Sequence, residues 1–137
     1  MELKKLPQIK IWTDEPADLS KNKLYKGKFV MTHDGKFFAK LFPEKEYDGS
    51  QFFHNEVLEE MGVKKADSPA VKKEVEGGGK MEVELIEDYV EVRLHGKSSI
   101  YGAYNPDCVD IGEIEEIIRT MFDLIDLPVL VIPDLEA

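Results

Sequence analysis

Three histidines, one cysteine and a run of three glycines ending in lysine are the residues whose types and spacing could carry chemistry. An imidazole with an ordinary pKa of roughly 6.5 exchanges protons or attacks an electrophile at neutral pH, so His33, His54 and His95 are the first candidates. His33 precedes Asp34-Gly35 and reads as a solvated turn residue. His95 ends an alternating run beside Gly96 and reads either as a strand-end surface residue or as the wall of a site. His54 differs, because it falls in the first turn or so of a helix expected to start near Ser50. There, unpaired backbone N–H groups and the positive end of the helix dipole favour an anion.

Gly77-Gly78-Gly79-Lys80 lacks the Gly-x-x-x-x-Gly-Lys-Ser/Thr spacing of a nucleotide-binding loop. It reads as a flexible loop, or as backbone that can approach a ligand closely, with Lys80 as a point charge for phosphate. Gly96-Lys97-Ser98-Ser99-Ile100-Tyr101-Gly102 likewise offers backbone and hydroxyl donors in a turn after a strand, or is a plain strand-to-loop transition with a packed tyrosine. Cys108 is alone, which leaves no internal disulfide and no cysteine-based zinc site, so no metal framework is expected.

The elements that must hold these residues follow from periodicity. Residues 4–11 carry Leu6, Ile9 and Ile11 around Pro7, an extended lead-in or edge strand. Residues 28–32 and 36–42 are aromatic-rich runs around Asp34-Gly35, a hairpin signal that puts Lys36 and Lys40 on one face. From Gln51 to Met61 the residues Phe53, Val57 and Met61 recur at helical spacing, and Gly62 marks the stop. Residues 71–75 read as a short strand. Met81, Val83 and Leu85, then Val90, Val92 and Leu94, alternate with charged residues and form a second hairpin with one wet face. Asp110 is the expected cap of a helix whose apolar face is Ile111, Ile114, Ile117, Ile118 and Met121, and residues 128–133 suit a late strand between prolines.

The chain has 137 residues, 42% hydrophobic and 34% charged, a composition that predicts one packed α+β domain over residues 1–137 with several short strands and two main helices. No stretch approaches a membrane span and the first residues are too polar for a signal peptide, so the expected address is the cytoplasm. The net charge of −10 repels nucleic acid and anionic membrane surfaces, and neither is an expected partner. Abundant Lys and Glu with few Asn and Gln resemble a thermophile balance.

The order of the candidate residues is itself informative. His54 at a helix start, then Gly77-Gly78-Gly79-Lys80, then a strand running into Gly96-x-Ser98-x-x-Tyr101-Gly102 and a further helix resembles the protein histidine phosphatase (Janus/Ocnus) family over residues 52–118. The resemblance implies a compact mixed sheet flanked by two helices and a cofactor-free phosphohistidine (phosphoramidate) phosphatase, acting on a phosphorylated protein or a small phosphoramidate. It implies His54 as the active residue and the N–H groups around Phe53, His54 and Asn55, with those of Ser98 and Ile100, as the phosphate cradle. Lys80 stands where the family usually has arginine, which keeps the charge and loses the bidentate fork. A family lysine aligns with Phe38, and Lys36 or Lys40, two residues to either side, would supply its charge. The acidic stretch 44–48 stands where the family carries a further arginine. The alternative function is a non-catalytic anion-binding or protein-interaction domain on the same fold.

Overall fold

The computed structural model describes residues 8–11, 17–50, 54–60, 62–124 and 126–133. Among these residues six strands form one sheet: β1 (Gln8–Ile11), β2 (Leu24–Thr32), β3 (Phe37–Pro43), β4 (Val75–Ile86), β5 (Tyr89–His95) and β6 (Val129–Pro133), in spatial order β1-β3-β2-β4-β5-β6. The four central strands pair antiparallel, while β1 joins β3 and β6 joins β5 in parallel. Among the described residues, three α-helices complete a mixed α+β fold: α1 (His54–Glu60), α2 (Pro69–Glu74) and α3 (Ile111–Met121). Among the described residues, no helix is long and apolar enough to cross a membrane.

The two hairpins expected from turn chemistry are present. Between β2 and β3, the Gly35 N–H donates to the Thr32 carbonyl and Gly35 takes φ +86°, a left-handed conformation that glycine adopts without steric cost. β4 and β5 pair in register from Lys80–His95 to Ile86–Tyr89, with Glu87 at the turn. Period-2 alternation then gives the sheet two distinct faces.

One face carries Tyr25, Phe29, Met31, Phe37, Leu41, Met81, Val83, Val92 and Leu94, all buried, and α3 lays Ile114 and Ile118 across it. The Asp110 side chain caps α3 by accepting from the Glu113 N–H at 3.1 Å, as its sequence position predicts. Phe29 anchors this core, stacking on Phe37 at 5.1 Å and meeting Tyr104 edge-on at 4.8 Å. On the opposite face Val57 and Leu58 of α1 join Val30 and Phe38 in a second apolar cluster that also takes in Ala66 and Val75. Gly62 ends that helical run with φ +93°.

Two expectations are corrected. Residues 71–74 are helical rather than extended, because Ser68 caps α2, accepting from the Val71 N–H at 3.4 Å, and Pro69 occupies its first turn. Gly77, Gly78 and Gly79 lie inside the central strand β4, paired with Met31, Val30 and Phe29, and are not a loop. Tertiary approach explains them. A Cβ on Gly78 would lie 2.5 Å from the Phe29 carbonyl oxygen, one on Gly77 would run into the Ala103 carbonyl, and one on Gly79 into the His95 carbonyl. Gln51, Phe52, Phe53 and Met61 of the expected first helix, and Leu6 and Pro7 of the lead-in, lie outside the described residues.

Candidate functional site

The sheet register builds a row of basic residues that no single strand reveals. Lys10 pairs with Lys40, Lys40 with Lys28, Lys28 with Lys80, and Lys80 with His95, so five adjacent strands each contribute one basic residue to one line on the α1 face. Like charges directly opposite one another destabilise a sheet, which makes this arrangement costly unless something anionic compensates it. Glu60 of α1 supplies part of that, at 3.4 Å from Lys10 Nζ and 3.7 Å from Lys40 Nζ. Lys28 Nζ donates to the Gly49 carbonyl at 2.7 Å. Burial first, and then the neighbouring Lys80 charge, pulls the Lys28 ammonium below its usual pKa. Lys80 is exposed and makes no ion pair among the described residues.

His54 sits beside this row, at the start of α1 and only 6% exposed. Its Nε2 lies 2.9 Å from the Gly79 carbonyl oxygen. A carbonyl only accepts, so Nε2 carries the proton and Nδ1 the lone pair. Burial, reinforced by Lys28 and Lys80 and opposed by the Gly79 hydrogen bond, pushes the imidazole pKa down to about 4. The ring is therefore neutral at physiological pH. A Cβ on Gly78 would meet His54 Cδ2 at 3.0 Å and Ser98 Cβ at 3.4 Å, so His54, Gly78 and Ser98 converge on one spot that a side chain at position 78 would fill.

Ser98 is buried at 2% exposure and organises its own loop. Its N–H donates to the Gly102 carbonyl at 3.0 Å, and its Oγ accepts from the N–H groups of Ile100 and Tyr101 at 3.1 and 3.0 Å. The two loop N–H groups expected in the phosphate cradle are thus engaged within the loop. The Tyr101 hydroxyl donates to the Ala66 carbonyl at 2.5 Å, tying this loop to the α1–α2 connection, and burial pushes its pKa up to about 12.

The other expected residues are distributed differently. Asn55, next to His54, bonds Glu59 through its side chain at 3.4 Å. Phe53 lies outside the described residues. Lys36 belongs to the hairpin turn, ion-paired with Asp34 at 3.0 Å, while Lys40 joins the cationic row. The residue that sequence reasoning missed is Lys28. Hairpin register offered the signal, since pairing across Asp34-Gly35 sets Lys28 opposite Lys40 and onto the same face. Among the described residues, no cluster of His, Cys, Asp or Glu could hold a metal ion. No protein-family model matches this chain, and neither does any curated protein.

Proposed function

We propose that the His54 site acts on phosphoryl groups, as a phosphohistidine or phosphoramidate phosphatase of the cytoplasm in the manner of the histidine phosphatase family. One observation carries this reading: a neutral imidazole, fixed through Nε2, lies against a line of lysines. A nucleophile must be unprotonated to attack, and the pKa of about 4 keeps His54 Nδ1 in that state. Lys28 and Lys80 oppose protonation before the reaction and favour the negative charge of an arriving phosphoryl group. Nδ1 forms a new N–P bond as the substrate's N–P bond breaks, and the departing nitrogen takes a proton from water. The hydroxide left behind, or its equivalent, then adds to phosphorus and releases orthophosphate, returning the lone pair to Nδ1. The Gly79 carbonyl, still accepting from Nε2–H, stabilises the positive charge that the ring carries in between.

A second reading is a binding module without turnover, favoured by the engagement of the Ser98 and Ile100 N–H groups within their own loop. Single-turnover release of phosphate from phosphorylated polyhistidine separates the two. Hydrolysis by wild type and none by His54→Ala is the expected result. Equal rates in both would overturn the role of His54, and phosphate binding without hydrolysis in wild type would leave the binding module.

A further inference from the structure

Next to His54, on the same face of the sheet, a cleft of about 100 Å³ is lined by Lys26, Gly27, Tyr47, Lys80, Met81, Glu82 and His95. Lys80 belongs to both places, since it lines the cleft and its charge bears on the His54 ring. The carboxylate in the cleft is already satisfied. Glu82 Oε1 accepts from His95 Nε2 at 2.8 Å and from Arg93 Nε at 3.3 Å; burial raises the Glu82 carboxyl pKa, but the Arg93 charge and these hydrogen bonds outweigh it and hold the group below its usual value. Lys26 Nζ stands 3.9 Å from Glu82 Oε2, at the outer limit of an ion pair, and 5.5 Å from the centre of the Tyr47 ring. Two lysines therefore line a cleft whose one carboxylate is held by His95 and Arg93. On a chain of net charge −10, this is a local reversal of sign.

We propose that this cleft is a second anion subsite, which holds a carboxylate or phosphate that the substrate carries in addition to the phosphoryl group presented to His54. The proposal rests on the phosphoryl reading of His54 and narrows its substrate class to compounds with two anionic groups, bridged by Lys80. Its volume suits a group the size of one side chain or one phosphate, with the remainder of the molecule in solvent. Lys26 lines the cleft, whereas the charges that bear on the His54 ring are those of Lys28 and Lys80, so Lys26 is the residue that distinguishes a doubly anionic ligand from a singly anionic one.

The test is titration calorimetry with orthophosphate, diphosphate, N-phosphoimidazole and the free amino acid phosphohistidine, on wild type, Lys26→Met and Lys26→Arg, with thermal melts to establish folding. A charged hydrogen bond of ordinary strength predicts that diphosphate binds wild type at least about tenfold more tightly than orthophosphate. Lys26→Met should abolish that preference while orthophosphate still binds, and Lys26→Arg should keep it. Phosphohistidine binding more tightly than N-phosphoimidazole, which lacks the carboxylate, assigns the second group to a carboxylate. A preference confined to diphosphate assigns it to a phosphate. Equal affinity for orthophosphate and diphosphate, a preference that survives Lys26→Met, or no binding of any anion would overturn the proposal. These readouts are separate from turnover, so a preference for two anionic groups in a protein that hydrolyses nothing would remove the phosphatase reading alone.

Discussion

On the side of the sheet that α3 covers, the side chains of β2 to β5 are apolar and buried, from Tyr25 to Leu94, whereas across the middle of the other side Lys40, Lys28, Lys80 and His95 stand shoulder to shoulder. Both faces belong to the same four strands, separated by one residue of sequence at every step. The apolar face gains from every neighbour it has, and the charged face sets like charges opposite one another and buries a histidine in its neutral form. Stability is concentrated on one side and reactive groups on the other, as in proteins that hold a strained site on a rigid support.

The widest separation between the faces should come from adjacent residues of β2. Phe29→Ala removes the ring that packs on Phe37 and Tyr104, and should cost about 4 kcal/mol of unfolding free energy in urea titration. A loss under about 1 kcal/mol would mean that the α3 face does not carry the fold.

Acid should act on the other face. The folded pKa of His54, about 4, lies below the unfolded value of roughly 6.5, so the unfolded chain binds the extra proton between them. Stability attached to this residue is complete above about pH 6.5 and is lost as pH falls toward 4, amounting to about 3 kcal/mol. Unfolding free energies at pH 7 and 4.5 should differ less in His54→Asn than in wild type by most of that amount. Parallel pH profiles for the two proteins would show that His54 is charged in the fold.

Gly78→Ala should cost about 2 kcal/mol, since its Cβ would press on the Phe29 carbonyl and on His54 Cδ2 at once. The imidazole NMR signals of His54 should shift in that variant, and an unchanged spectrum would separate Gly78 from the site. Smallest is Lys28→Met. Removing the central charge of the row should leave stability unchanged or raised by up to about 1 kcal/mol, while weakening orthophosphate binding. A loss above that size would show that Lys28 supports the fold.

How much of this was legible in the sequence depended on range. The Asp34-Gly35 hairpin, the alternation of Met81 to Leu94 and the Asp110 cap are local patterns, and each appears where its residues predict. The glycine run misled because glycine in a strand is unfavourable on its own account, and its reason lies in the carbonyls of Ala103, Phe29 and His95, all remote in sequence. The start of α2 was readable in Ser68-Pro69 but gave way to the apolar pair Val71 and Val75. The proximity of His54 to Gly78 and Ser98 is a matter of tertiary packing, and the lysine row required the register of four strand pairs.

The parallel pairing of the two outermost strands has a consequence for the time course of folding. β2 with β3 and β4 with β5 close over short turns, but β1 must wait for β3, about thirty residues on, and Val129 finds Val90 only across nearly forty. Loop closure of that length is slow compared with hairpin formation, and the β2–β4 pairing spans more still, from Thr32 with Val75 to Leu24 with Glu84, so the two hairpins are expected to form first, while the outer strands, paired on one side only, are expected to show the earliest amide exchange in the native state. The backbone around His54, from Lys28 to Gly79 and Lys80, lies wholly within those inner four strands. Its geometry can therefore persist while either edge frays.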